Sequence, residues 1–473
     1  MELKNKITEF SLTHYKLVTA VMVAFTVVLG AMIPRIQVDT DPENMLSADE
    51  AVRVFHHETK QDFVLYDIVV VGIVNNEDPN GVFNPDSLRK IYELTQYAKT
   101  LTWPSEEDPN VKVGVIEADL MAPSMVDHIG QGGPMTVTFE WLMAEPPETQ
   151  AEALEVRDKA LSNPLLKGSI VSEDGRAITL YLPLTHKNLS HAVYQALNGK
   201  IAEFEGPEEY HITGLPVAED TFGFEMFVQM AISAPLAMLV IFLLMLAFFR
   251  KLVLIVSPMI VAMVSVISTM GVLIGLGYPV HIMSSMIPIF LMPIAVVDSV
   301  HILSEFFDLY TKEKGRKGTT REVMGNLFMP MLYTSLTSAA GFASLALTPI
   351  PPVQVFGIFV AVGIMIAWIC TILFVPAYIM MLKDKWLEDF GAAAVYEKKQ
   401  TWLTRVLRAA GRLTYGGAKP ILVGLAVVVI VALYGITQIQ INDNPIKWFA
   451  KSHPIRQADI ELNEHFAGTY MAY

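Results

Sequence analysis

The chain has 473 residues, a formal net charge of -14 and only 17% charged side chains, with a mean hydropathy of +0.41. Such apolarity excludes a soluble globular chain of this size, and the acidic excess argues against nucleic acid as a partner. A single cysteine, Cys370, excludes intrachain disulfides and cysteine-based metal sites.

Seven apolar blocks are each nearly or fully long enough to cross a hydrocarbon core: Leu17 to Ile33, Phe227 to Phe249, Leu252 to Leu276, Ile282 to Leu303, Leu327 to Leu347, Val353 to Met380 and Ile421 to Ile436. The first follows Lys4, Lys6 and Lys16 as a secretory signal would. It runs into Ile33-Pro34-Arg35 rather than a small-residue cleavage site, so it reads as a retained span.

Between the first two spans the pattern becomes that of a water-exposed domain, with 33 acidic and 13 basic side chains in residues 35–225. Phe63 to Val74 is a β-branched run, and Asn84-Pro85-Asp86 opens a helix through Leu88, Ile91, Leu94 and Ala98 that leaves Arg89, Lys90 and Glu93 towards water. Val111 to Ile116 is a second strand. Gly168 to Ser172 and Ala177 to Pro183 form a hairpin around Glu173-Asp174-Gly175-Arg176, and a helix from Leu189 to Phe204 and a strand from Tyr210 to Thr213 follow. This order is the split ferredoxin-like arrangement. Asp119 to Pro164 reads as an insertion whose Met121, Met125, Met135, Phe139, Trp141, Leu142 and Met143 form either an ordinary core or a substrate cleft, the core being the first choice.

The basic loops set the orientation. Arg250 and Lys251, then Lys312, Lys314, Arg316, Lys317 and Arg321, then the basic run from Lys383 to Lys419 all fall on one side if the N-terminus is cytoplasmic. Lys383 to Arg412 mixes these charges with Trp386, Trp402 and Leu403, as an amphipathic helix on the inner membrane surface or a connecting helix would.

In the fourth block Asp298 follows seven residues without a charge, and an isolated carboxylate there costs roughly 3 kcal/mol on insertion scales. His301 and Glu305 lie on the same helical face. The three read as a proton relay, with Asp298 the carrier, His301 its partner or outward step and Glu305 the cytoplasmic-side access, against the plainer reading of a structural polar cluster. In the fifth block Thr337 and Ser338 are the expected hydrogen-bond partners of Asp298, and Pro288 and Pro293 are expected to shape a hinge in the fourth. No phosphate-cradling loop or glycine-framed nucleophile is present, so no cofactor or metal is expected and the chain reads as a secondary transporter rather than an enzyme.

The opening of the chain returns near its end. Ile36-Gln37-Val38-Asp39-Thr40-Asp41-Pro42 corresponds to Ile439-Gln440-Ile441-Asn442-Asp443-Asn444-Pro445, and each follows an apolar block. This reads as a duplication, with one complete unit of six spans and the start of a second, whose completion would take roughly 330 further residues and five spans. The chain is therefore expected to be a fragment or one half of an assembly. Residues after Asn442 should be poorly ordered in any monomer, and the chain should form a weak, detergent-sensitive dimer.

Ala295-Val296-Val297-Asp298-Ser299-Val300-His301 and Ser335-Leu336-Thr337-Ser338-Ala339-Ala340-Gly341-Phe342, with this layout, resemble the RND superfamily, in particular its MMPL-like exporters related to sterol-sensing and Patched-type proteins. Ser299 and Ile294 depart from the aromatic and the glycine usual in that family. The resemblance implies an α-helical polytopic membrane protein with an inserted α+β ferredoxin-like external porter domain. The expected divisions are 1–33 (amphipathic segment and first span), 34–225 (porter domain), 226–380 (spans two to six), 381–418 (amphipathic linker), 419–438 (seventh span) and 439–473 (start of a second porter domain). It also implies proton-motive-force-driven export of hydrophobic or lipid-like molecules from the cytoplasmic membrane, with protons, membrane lipids and a second-half polypeptide or second copy as partners. A lipid- or sterol-binding sensor or scaffold, or a protein-translocation accessory subunit, is the alternative.

Overall fold

The computed structural model describes residues 2–39, 41–105, 108–133, 136–249, 251–387, 402–439 and 444–466. The chain divides into two compact units, Met1–Asp39 with Gln229–Asn442, and Thr40–Val228 with Asp443–Tyr473. In chain order the elements begin with α1 (Glu2–Thr13), α2 (Tyr15–Gly30), β1 (Val38–Asp39), α3 (Ala51–Asp62), β2 (Asp67–Val74) and α4 (Pro85–Lys99). Then come β3 (Thr102–Pro104), β4 (Lys112–Gly114), β5 (Asp127–Gly133), β6 (Thr136–Trp141), α5 (Gln150–Ser162), β7 (Ala177–Leu184), α6 (Ser190–Ile201) and β8 (Glu209–Thr213). The remainder is α7 (Leu215–Phe249), α8 (Val253–Gly275), β9 (Val280–His281), α9 (Ile287–Leu309), α10 (Gly315–Ala343), α11 (Pro351–Met381), α12 (Trp402–Gly416), α13 (Ala418–Ile436) and α14 (Pro454–His465).

Six stretches among the described residues are long and apolar enough to cross a membrane: Tyr15–Arg35, Leu215–Ala247, Val253–Gly275, Ser284–Leu309, Pro351–Met381 and Ala418–Ile436. The protein is a multi-pass membrane protein. The expected block Leu327 to Leu347 is not among them. It falls in α10 and a following 3-10 turn, where Asn326, Pro330 and the hydroxyls of Thr334, Ser335, Thr337 and Ser338 dilute the apolar residues.

In the helical unit α10 is nevertheless held inside the bundle by Val323, Met324, Phe328 and Met331, which join a buried cluster with Phe306 of α9 and Val375 and Ile379 of α11. Close approach is set by small residues. A Cβ on Gly271 of α8 would overlap the Leu29 backbone, and one on Gly363 of α11 would meet Leu291 and Thr269, so larger residues at either place would push neighbouring helices apart. Of the basic linker, residues 388–401 lie outside the described residues, and α12 follows them. No residue of α13 is buried.

The α+β unit is organised around β2, which pairs antiparallel with β7 on one side and β8 on the other. Its side chains alternate between two covered faces. Val69, Val71 and Ile73 join Leu88, Ile91 and Leu94 of α4 and Val193 and Leu197 of α6 in one core, whereas Val70 and Val74 join Leu462 and Phe466 in a second cluster. A strand buried on both faces must be a continuous apolar run, which is why Val69 to Val71 reads without polar interruption. The strand starts at Asp67, not Phe63, because Val64 adopts a φ of 52° and breaks the run.

Asn84 caps α4 as expected, its side chain accepting a hydrogen bond from Ser87 N at 2.8 Å. Lys90, expected in water, is 5% exposed. Its Nζ lies 2.8 Å from Glu208 and 2.7 Å from Asp86, and Glu208 also accepts from Ser87 Oγ at 2.6 Å. Burial alone would lower the Lys90 ammonium, and these two carboxylates overcome it, holding it above the usual lysine range.

The expected strand Val111 to Ile116 contributes only β4, paired with β3, and one bridge from Val115 to Leu184 at the edge of the sheet, which therefore has three full strands. The expected hairpin reduces likewise to β7 and one bridge from Val171 to Ile178. The expected insertion contains the β5–β6 hairpin and α5, the latter closed by a capping box between Thr149 and Glu152. Its apolar residues split. Leu142 and Met143 are buried core, Met125 packs partly against that core, and Met121, Phe139 and Trp141 are exposed; Met135 lies outside the described residues.

The largest correction concerns the end of the chain. Residues 440–443 and 467–473 lie outside the described residues, but 444–466 are folded onto the α+β unit rather than left loose. Ile446, Ile455, Ala458 and Leu462 are buried, with Leu462 seated over Gly72 of β2. The expectation of disorder fails because the second face of β2 needs a cover and α14 is that cover. The repeat also extends into structure at one constant offset. α2 starts at Tyr15 and α13 at Ala418; a 3-10 turn spans Pro42–Met45 and another Pro445–Trp448; α3 spans Ala51–Asp62 and α14 Pro454–His465. Asp41 and Asn444 cap the two turns alike, accepting from Glu43 N at 2.8 Å and Ile446 N at 3.0 Å.

Candidate functional site

The site lies where α9, α10 and α11 meet in the helical unit. Apolar residues place Asp298 there: Leu291, Met292, Ala295 and Ile302, with the buried Ser299, turn the same broad face of α9 into the bundle, and Asp298 is 8% exposed on it. Ser335 of α10 donates a hydrogen bond to its Oδ2 at 2.9 Å. One residue on, Ser299 Oγ lies 3.2 Å from Thr371 Oγ1, a buried hydroxyl pair that ties α9 to α11. A polar seam thus crosses three helices, with Asp298 as its ionisable member.

The other expected residues are distributed around this seam. His301 is exposed on the neighbouring edge of α9. Glu305 is half-buried and accepts from Asn326 Nδ2 of α10 at 2.9 Å, a second α9–α10 tie two turns from Asp298. Thr337 is turned away from Asp298, its Oγ1 donating back to Tyr333 O at 2.8 Å and Thr334 O at 3.0 Å, and Ser338 is half-buried without being the donor. Ser335 replaces both as the partner. The signal for it was in the sequence: Phe328, Met331, Ser335 and Ala339 are the buried stripe of α10, and Ser335 continues that helical phase while Thr337 does not. Pro293 lies inside α9, but Pro288 occupies its first turn, where no intrahelical hydrogen bond is lost, so Pro288 opens the helix rather than bending it.

Two cavities bear on what could be carried. In the helical unit, Leu17, Val21 and Phe25 of α2 and Ile366, Ile369 and Leu373 of α11 line an apolar groove of about 340 Å³. In the α+β unit a polar cleft of about 880 Å³ is lined by charged residues including Arg53, Glu58, Asp67 and Lys187, not by the methionine-rich insertion. No group of three or more metal-ligating side chains occurs among the described residues.

Residues 123–413, which include the whole α9–α11 seam, match the MMPL family. The chain belongs to the MMPL family. Members of the MMPL family are membrane transporters of the RND type and not enzymes, and they handle hydrophobic substrates and membrane lipids. No curated protein matches the chain. Among the described residues of α9, Asp298 is the one deeply buried acidic side chain of this MMPL-family member, and it lies in a hydroxyl-lined helix contact.

Proposed function

We propose that this MMPL-family protein uses the proton-motive force to export hydrophobic or lipid-like molecules across or out of the cytoplasmic membrane. The observation that carries the reading is Asp298, shielded inside the helical unit with a neutral hydroxyl from Ser335 as its hydrogen-bond donor. A carboxylate so placed is costly when charged and is relieved by protonation, so binding and losing a proton changes the balance of forces at the α9–α10 contact. Asp298 is the membrane proton carrier, His301 its step on the open edge of α9, and Glu305, linked to Asn326, the access group on the cytoplasmic side. Ser335 positions the carboxylate, and Pro293 interrupts the hydrogen-bond ladder of α9 one turn and a half before it. The N-terminus is cytoplasmic and the acidic α+β unit lies across the membrane from it, in keeping with the basic loops. His301 and Thr337 stand on exposed sides of α9 and α10, where a second half-unit, in another copy or another polypeptide, adds the rest of the relay.

The test is reconstitution into liposomes with an imposed pH gradient, following movement of a fluorescent lipid in wild type and Asp298→Asn. The expected result is gradient-dependent movement that the substitution abolishes while lipid binding persists. Equal movement in both proteins sinks the relay. Binding without movement in any assembly points instead to a lipid sensor.

A further inference from the structure

Only Val18 and Met22 of α2 are buried, and a groove runs along the helix on either side of them. The groove shared with α11, described above, has no charged residue in its lining. On the opposite side a furrow of about 680 Å³ follows Lys16, Ala20, Val23, Ala24 and Val27, with Met381 at the end of α11 beside it. These positions recur every three or four residues and so share one helical face. Thr19 ties the two helices together at the lysine end, its Oγ1 lying 3.6 Å from Met381 Sδ. Ala20 and Ala24 keep the floor of the furrow low. The cations elsewhere at this end of the helical unit have partners: Lys317 and Arg321 pair with Glu9, Lys314 with Glu322 and Arg316 with Asp384. Lys16 has no acidic partner among the described residues, and no acidic side chain lies in the first turn of α2 to compete for it. Lys383, two residues past Met381, likewise has no carboxylate partner among the described residues and lies over the Trp386 ring at 5.7 Å.

We propose that this furrow binds one phospholipid of the surrounding bilayer that carries an anionic headgroup, with its phosphate on Lys16 and Lys383 and an acyl chain over Ala20 and Ala24. Two observations fix the occupant. The furrow is cationic at one end and apolar along the rest, which is the charge pattern complementary to such a lipid. Its length agrees as well: from Lys16 to Val28 it runs roughly 18 Å at about 1.5 Å per residue, close to one leaflet of a hydrocarbon core about 30 Å thick. A companion helix would follow the whole span and bring its own acid to the lysine, whereas a lipid needs one leaflet and a place for its phosphate. The site is independent of the proton reading and of which molecule is exported.

The experiment is native mass spectrometry of the full chain, purified in detergent and stripped of lipid, titrated with phosphatidylglycerol and with phosphatidylcholine of the same acyl chains. Wild type should take one phosphatidylglycerol at concentrations about tenfold below those needed for phosphatidylcholine, as two lysines at a headgroup imply. Lys16→Gln should weaken the phosphatidylglycerol adduct by about fivefold and leave phosphatidylcholine unchanged. Lys312→Gln, at an exposed lysine away from the furrow, should change neither. Ala24→Phe, which fills the furrow, should weaken both. Equal binding of the two lipids by wild type, equal effects of Lys16→Gln and Lys312→Gln, or full binding by Ala24→Phe overturns the proposal. A second measurement guards against misfolding: without lipid the thermal midpoints of wild type, Lys16→Gln and Ala24→Phe should coincide, and added phosphatidylglycerol should raise that of wild type most. A lipid-free midpoint lowered by Ala24→Phe, or a dimer of the wild type that Ala24→Phe splits, shows that protein covers the furrow and also overturns it.

Discussion

Lys90 and Asp298 are both ionisable side chains withdrawn from solvent, one in each unit of the molecule, but their company differs. Lys90 sits between Asp86 and Glu208, and Glu208 is itself bonded to Ser87, so charge and hydrogen-bonding capacity are met by neighbours of opposite sign. Asp298 has a neutral serine hydroxyl as hydrogen-bond donor, on a buried face of α9 that also carries Leu291, Ala295, Ser299 and Ile302. A buried charge with full partners is a structural commitment, costly to break and useful for holding α4 to the turn before β8. A buried carboxylate without an opposite charge in hydrogen-bonding contact makes no such commitment, and that difference is what the proposed proton role of Asp298 rests on.

Four tests break or sharpen that contrast. The largest effect is functional: Asp298→Asn should reduce gradient-driven transport to the no-gradient level while changing the stability of the helical unit by about 1 kcal/mol or less, since the amide still accepts from Ser335. Flux in liposomes and thermal unfolding in detergent check the two halves of that statement. Lys90→Met should do the reverse, destabilising the α+β unit by about 3–5 kcal/mol because Glu208 is left charged and unpaired, with much of the loss recovered in Lys90→Met/Glu208→Leu. Chemical denaturation followed through Trp103, which packs against that core, measures it.

Leu462→Ala should cost about 2–4 kcal/mol by opening a cavity over Gly72, whereas Thr59→Ala at the equivalent place in α3 should stay within about 0.5 kcal/mol. The smallest effect is a pH dependence. His211 of β8 lies opposite Gly72, and burial holds its imidazole below the usual histidine range against the pull of Glu461 and Glu209, with His465 adding to the lowering. Below the unfolded value of about 6.5 the unfolded chain binds the proton more readily than the folded one. Stability of the α+β unit should therefore fall as pH drops from about 6.5 towards the depressed folded value, and His211→Gln should flatten that slope in unfolding curves taken between pH 5 and 7.

How much of this was legible in the sequence depends on whether a feature is set by local or by distant residues. The apolar blocks, the Asn84 cap and the position of Asp298 are properties of short windows, and the repeat is a match of two windows. The choice of Ser335 over Thr337 required the rotational phase of α10, which Phe328, Met331 and Ala339 encode but which a search for hydroxyls alone passes over. Lys90 was assigned to water because its partner Glu208 is far along the chain and only the return of β8 brings the two together. The seating of α14 was missed for the same reason: the two-sided apolar run of β2 requires a second cover, and nothing in the residues around β2 says where it comes from. The hydroxyls of α10 also made a helix read as a clear span less apolar than its neighbours.

The distance between β8 and α14 also has a bearing on how the protein is made. The α+β unit has all three strands of its sheet once the ribosome has passed Thr213, but the helix that closes the face of Val70 and Val74 ends only at His465. At elongation rates of about 5–20 residues per second, roughly 10–50 s of synthesis separate the two, during which α7 to α13 are made, five of them long and apolar enough to cross a membrane. Through that interval a newly delivered sheet stands with one apolar side uncovered. Nascent chains stalled just before α14 should be the stage most open to proteases and to engagement by folding helpers, and synthesis speed across the intervening helices becomes a determinant of yield.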